Sequence, residues 1–247
     1  MMSSSNSDPS RPTGVSKRAH RNNKGKGKAV ISEQLANTTL ACPEPSSADA
    51  DPEDRGPIFF WRETEPPHGY MSQWYKYPFY SPSDPSKIFV TAEHWMMYQK
   101  AVLFGDNDIA ARILAGQKLH PRIIRNMGRK IRGFDDEVWK RERMRIVEEG
   151  NWLKFTSPAN DDTLKLKAQL LYTWGRELVE ASPFDRIWGI GFKAKDAEVA
   201  RESWGSNLLG IALMHTRERL KKEAEGGNAN LVAGAGETHS ENSCDDD

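Results

Sequence analysis

One carboxylate in this chain stands where chemistry could use it. Glu93 lies in Thr91-Ala92-Glu93-His94-Trp95-Met96-Met97-Tyr98-Gln99-Lys100, a helical run without Pro or Gly until Gly105. A carboxylate can stabilise a developing cation or act as a base on water. The ordinary reading of Glu93 is a first-turn acid favoured by the helix dipole. Lys100 is seven residues on, about 10 Å along the axis and on the same face. Such a pair could flank an anionic substrate, although a solvated charged face is the commoner outcome. Trp188, in Trp188-Gly189-Ile190-Gly191, is by default a core plug, but the glycines could let a planar ligand stack on it. Asn207 reads first as a helix cap, and Arg129, in Met127-Gly128-Arg129, as a surface arginine. From the residues alone this is a soluble α+β domain with a pocket for an aromatic, anionic ligand.

Other chemistries find no support in the spacing. The six histidines and two cysteines (Cys42 and Cys244) form no metal-type cluster, and His94 is followed by Trp95 and Met96 rather than a zinc-helix pattern. Gly25-Lys26-Gly27-Lys28 lacks the upstream glycine and the following Ser or Thr of a phosphate loop. Gly189-x-Gly191 has no strand–helix continuation of dinucleotide type, and no Gly-x-Ser-x-Gly elbow occurs. No metal or cofactor is therefore expected. The two distant cysteines fit a reducing compartment, the cytosol or the nucleus. No apolar run approaches 18 residues and none follows the N-terminal Met-Met, so neither a membrane partner nor a secretory signal is expected.

The elements that must position these residues occupy only part of the chain. Its 247 residues carry 35 basic and 35 acidic side chains, a net charge of zero that hides a strong asymmetry. Residues 1–30 hold seven basic residues and one acid, 31–55 six acids and one arginine, and 221–247 seven acids and two lysines. All eight Trp, nine Phe and six Tyr lie between Phe59 and Trp204. The expected organisation is a tail over 1–55, basic then acidic, a domain over 56–222, and an acidic tail over 223–247. Both tails have too little to bury to offset the entropy of ordering. Lys17-Arg18-Ala19-His20-Arg21 is a candidate nuclear import or phosphate-binding run, although most such runs are only solvated.

Within the domain, Ile58-Phe59-Phe60-Trp61 and Ile88-Phe89-Val90 read as short strands, with a Ser-Pro-Ser-Asp-Pro loop before the second. Thr91 caps a helix from Ala92 to Leu103, and Asp106 one that ends at Ala115. A third runs from Pro121 towards Ile131, and a fourth from Asp135 to Glu149, stopped by Gly150. A fifth starts at Asp161-Asp162. Glu177 to Ala181 and Ile187 to Ile190 read as short strands or loops. Ser206-Asn207 caps a last helix reaching about Glu225, with Leu209, Leu213 and Leu220 on one face and Arg217 and Arg219 pointing elsewhere. The fold class is mixed α+β, mostly helical, with a few short strands and no βαβ alternation.

These segments, in this order, resemble the NADAR (YbiA-like) family. The resemblance is carried by Ser72-Gln73-Trp74 with Tyr77-Pro78, Thr91-Ala92-Glu93-His94-Trp95 with Gln99-Lys100, Met127-Gly128-Arg129, Trp188-Gly189-Ile190-Gly191, and Asn207-x-Leu209-Gly210-x-x-Leu213-Met214-x-x-Arg217. It covers roughly residues 58–222 and implies a compact α+β fold that hydrolyses N-glycosidic bonds without a cofactor. The implied substrates are phosphoribosylaminopyrimidine intermediates of riboflavin biosynthesis or ADP-ribosylated guanine in nucleic acid. Glu93 takes the family's catalytic glutamate position and Trp188 that of its base-stacking tryptophan. Lys100, Arg129, Asn207 and Trp74 take polar or stacking positions of the pocket. Some members carry an acid where this chain has Ile190, so Asp185, three residues before Trp188, is the candidate second carboxylate. Gln73 replaces the family's frequent Asn, a longer amide that would alter substrate fit. The alternative is a module that binds ADP-ribose or a nucleotide without cleaving it.

Overall fold

A computed structural model describes residues 56–159 and 163–234. The order is β1 (Ile58–Phe60), β2 (Phe79–Ser81), β3 (Asp84–Phe89), α1 (Ala92–Leu103), α2 (Asn107–Ala115), α3 (Pro121–Gly128), α4 (Asp136–Thr156), α5 (Thr163–Leu171), β4 (Leu178–Glu180), α6 (Ala194–Ala197) and α7 (Leu208–Gly234). This is a mixed, mostly helical architecture. Its two small sheets are the parallel pair β1–β4, which joins distant parts of the chain, and the antiparallel hairpin β2–β3. The 1–55 tail with its basic run lies outside the described residues, and so do residues 160–162, which hold the expected helix start at Asp161-Asp162, and residues 235–247. Helix α7 continues to Gly234, beyond the expected domain limit at 222.

Several elements begin where their capping residues say they should. The hydroxyl of Thr91 accepts from the backbone N–H of His94, and carboxylates of Asp106 and Asp135 accept from Ile109 and Val138. Helix α1 is the central element: it packs on α2, α3 and α4, and its Trp95 is edge-on to Phe89, with ring centroids 5.1 Å apart. The Trp95 indole N–H donates to the carbonyl of Ile146 in α4 at 3.0 Å. Helix α4 in turn packs on α5 and α7, and α7 on β4.

Four expectations are corrected. Helix α4 does not stop at Gly150 but continues to Thr156. Gly150 is there for close approach: a Cβ at this position would lie 2.4 Å from Cδ1 of Trp95. Helix α3 ends at Gly128, short of Ile131. The loop before Ile88 is shorter than the sequence implied, because β3 already starts at Asp84 and places Pro85 in a strand with only one partner. Arg217 does not point away from the core. It is 5% exposed, and its guanidinium donates to the carbonyl and hydroxyl of Thr173 and to the carbonyl of Arg176. These oxygens lie just beyond the C-terminal end of α5, where a cation is favoured.

Candidate active site

Glu93 sits in the first turn of α1 but faces inward, only 3% exposed. The chain segment carrying Trp74 is what covers it. The backbone N–H of Glu93 donates to the carbonyl of Gln73 at 3.0 Å, and the Trp74 indole N–H donates to Oε2 of Glu93 at 3.3 Å. The other carboxylate oxygen, Oε1, is buried without a hydrogen-bond partner. Burial pushes the Glu93 carboxyl up to about 7, and Asp185 adds to the effect; Arg125, the Trp74 bond and Arg129 oppose it. A carboxyl with one oxygen held and the other free, titrating near neutrality, suits proton transfer at physiological pH.

Helix α4 holds the covering segment from behind. Nζ of Lys154 donates to the carbonyls of Tyr70 (2.6 Å) and Ser72 (3.1 Å), and Oδ1 of Asn151 accepts from Nε2 of Gln73 (3.2 Å). Both α4 side chains are fully buried, and burial alone lowers Lys154 to about 7. The longer amide of Gln73 is thus spent on Asn151. His120, the N-cap of α3, stands edge-on to Trp74 with ring centroids 5.6 Å apart, so Trp74 is fixed from both sides.

Helix α3 supplies positive charge. Arg125 and Arg129 are one helical turn apart, and both act electrostatically on Glu93. Lys100, half-buried, also feels Glu93, but its ammonium donates to the carbonyl of Gly128 at 3.3 Å and lies 4.1 Å from the Phe134 ring centroid. Burial lowers its pKa. The expected pairing of Glu93 and Lys100 is therefore electrostatic rather than a direct contact, with Lys100 tied to the end of α3.

Strand β4 and the turn that follows add Asp185, whose charge acts on Glu93. One oxygen of Asp185 accepts from the backbone N–H groups of Ile187 and Trp188, both at 2.9 Å, and so shapes the turn that presents Trp188. Trp188 is half-buried and packs against the main core. Gly189 is required by close approach, because a Cβ there would lie 2.6 Å from the carbonyl oxygen of Glu180. Ile190 is fully buried in a small apolar cluster with Val179, Ala181 and Ala197. An aliphatic residue at this position is thus accommodated by the core. Asn207 adopts a left-handed φ of 48° and bridges β4 with both ends of its amide: Oδ1 accepts from the N–H of Glu180 (3.0 Å), and Nδ2 donates to the carbonyl of Leu178 (2.9 Å). Its backbone carbonyl also accepts from Ile211, so it opens α7 as well.

Sequence reasoning missed Glu180, Arg125, Asn151 and Lys154. Oε2 of Glu180 is buried without a hydrogen-bond partner, and burial first, then Asp185 and Glu93, push this carboxyl up to about 8, against Arg125. The available signal was a lone acid closing the apolar Leu178-Val179 run. Arg125 could have been found as the residue one turn before Arg129. Among the described residues no group of three or more His, Cys, Asp or Glu could hold a metal ion, and no helix is long and apolar enough to cross a membrane.

The molecule is thus a helical α+β domain with a buried, half-satisfied carboxyl held by a tryptophan. The NADAR domain family matches residues 59–221. This chain belongs to that family. It is 40% identical over 152 residues to an N-glycosidase of Acanthamoeba polyphaga mimivirus, a match that covers 60% of this chain and 85% of the viral protein. It is 37% identical over 136 residues to Protein irg-1 of Caenorhabditis elegans, covering 53% of this chain and 61% of that relative. The solved structure of the E. coli protein YbiA resembles it with a TM-score of 0.54 and 25% identity, over 68% of this chain and 87% of YbiA.

Proposed function

We propose that this protein hydrolyses the N-glycosidic bond between a ribosyl group and a base, the substrate being either a phosphoribosylaminopyrimidine or ADP-ribosylated guanine in nucleic acid. A glycosidase-type activity follows from membership of the NADAR family and from the 40% identical N-glycosidase. The observation that carries the reading at the level of residues is Glu93, a buried carboxyl with Oε1 unpartnered and Oε2 held by Trp74.

Cleavage of a ribosyl C–N bond passes through a state with cationic character at the anomeric carbon, which a nearby carboxylate stabilises. Glu93 in its ionised form does this and then takes a proton from the attacking water. Trp188 and Trp74 offer aromatic faces to the base. Arg125 and Arg129, with Lys100 behind them, suit a phosphate or diphosphate. Asp185 acts through the turn that it holds. The reaction calls for no membrane, and its setting is the cytoplasm, with the nucleus as the place where a modified nucleic acid would be met.

The test uses the full chain, as wild type and Glu93→Gln, with both substrates and chromatographic detection of free base. Release by the wild type, reduced about 100-fold or more in the variant, supports the reading and names the substrate. No release from either substrate, with ADP-ribose binding that Glu93→Gln leaves unchanged, replaces it with the binding-module reading.

A further inference from the structure

Glu180 ends β4 with its backbone fully committed. Its N–H donates to Asn207, its carbonyl accepts from Ile190 at 2.9 Å, and it is in register with Phe60 of β1. The side chain thus leaves a rigid element, while Leu178 and Val179 before it are completely buried. Among the described residues Oε2 of this carboxyl is buried and makes no hydrogen bond. A buried polar atom left unpaired is costly, and where one persists it marks a group kept for another purpose.

The charged groups that act on Glu180 are those of the site: Glu93 from α1, Arg125 from α3 and Asp185 from the turn. Two of the three are carboxylates. Like charges close together disfavour ionisation, so one carboxyl of such a set retains its proton. Burial, with Asp185 and Glu93, raises Glu180 to about 8 against the pull of Arg125, in the direction a proton donor at neutral pH needs. Asp185 is less suited to that task, because one of its oxygens is occupied by the N–H groups of Ile187 and Trp188.

We infer that Glu180 is the proton donor to the departing base, working opposite Glu93 across the ribosyl bond. The inference rests on the N-glycosidase reading. As the C–N bond breaks, its electron pair goes to the base nitrogen and the proton of the Glu180 carboxyl goes to the base. Water adds to the anomeric carbon and gives its proton to the Glu93 carboxylate. That proton returns to Glu180, directly or by exchange through solvent, and the net change is one water consumed, one C–O and one N–H bond formed, and one C–N and one O–H bond broken.

The experiment compares full-length wild type, Glu180→Gln and Glu93→Gln on a matched substrate pair. One member is the ribosylated base that the wild type cleaves, chosen from the phosphoribosylaminopyrimidine and the ADP-ribosylated guanine oligonucleotide. The other is the same compound with its base N-methylated to a cation, which leaves without needing a proton. Glu180→Gln should lose about 100-fold or more in kcat on the ordinary base but less than about 10-fold on the cationic one. It should also lose the basic limb of the pH profile, whereas Glu93→Gln is impaired on both substrates. Groups able to shape that limb are Glu93, Asp185, Arg125, Arg129 and Lys100, so the comparison of variants, not the profile alone, assigns it. Thermal unfolding checks folding, and Glu180→Asp, a shorter acid, should keep the basic limb at a reduced rate. Equal losses of Glu180→Gln on both substrates, or no loss, with an active wild type overturns the role of Glu180 alone. A wild type inactive on both overturns it together with the proposed function.

Discussion

A carboxyl protonated in the fold but ionised in the unfolded chain opposes folding once the pH passes its unfolded value. Glu93 and Glu180 are raised from 4.5 to about 7 and about 8, so the folded state holds protons there that the unfolded chain has released. Their contribution to stability is present below about pH 4.5 and is lost as the pH rises through the folded values. Glu93→Gln and Glu180→Gln should therefore each raise the melting temperature at pH 8 by roughly 2–6 °C, with the gap closing near pH 4.5. Calorimetry at both pH values checks this, and a variant that melts lower at pH 8 would mean that its carboxyl is held by a bond that favours it. Lys154 works in the opposite sense. Lowered from 10.5 to about 7, it adds stability as the pH climbs between those values. Glu93 was legible from sequence because a motif surrounds it. Glu180 was not, since its neighbours are apolar and the amide that positions it, Asn207, is far along the chain.

At the scale of elements, the site is built by one helix buttressing another. Helix α1 provides Glu93, and α4 holds the Trp74 segment over it through Lys154 and Asn151. Lys154→Met should release the carbonyls of Tyr70 and Ser72 and loosen Trp74. The expected result is a higher KM and a fall in kcat of about 10-fold or more, with the near-neutral pH limb of Glu93 displaced, because near-attack geometry tolerates little misplacement. An unchanged KM and pH profile would show that the segment holds itself. Gly150→Ala offers a cleaner reading of α1–α4 packing. In an exposed helix the change stabilises, but here the new methyl meets Trp95, so a loss of about 1–3 kcal/mol is expected in urea unfolding. The same glycine explains why helix boundaries were only partly legible. Caps such as Thr91, Asp106 and Asp135 are local chemistry and mark starts well. A mid-helix glycine looks like a stop until the indole it makes room for is known.

Across the whole molecule, distant stretches of chain are tied together by buried polar groups as well as by the apolar core. Arg217 of α7 fastens the end of α5, and β1 finds its partner in β4. Arg217→Ala should cost about 2–4 kcal/mol of unfolding free energy, since three acceptors lose a charged donor at once; Arg217→Met, which keeps most of the apolar packing, should cost less. Denaturant melts of both variants measure the difference. The fold class and the family motifs were readable because aromatic content, caps and spacing are written locally. Arg217 was misplaced because its charge suggests solvent, although it stands four residues after Leu213 and three before Leu220 at the border of the leucine face, where Thr173 supplies its interior partner.

Asn207 has a consequence for how the protein is made. Its amide fixes Leu178 and Glu180, yet it lies 29 and 27 residues after them, respectively. A nascent polypeptide whose Asn207 is still inside the ribosomal tunnel can already possess α1 with Glu93, but not the bracing that sets the last residue of β4. Catalytic competence therefore arrives late in translation, only after the start of α7 has emerged. A message truncated just before codon 207 should yield an inert protein, since it lacks both Asn207 and the whole of α7, whose Leu209, Leu213 and Leu220 are core residues.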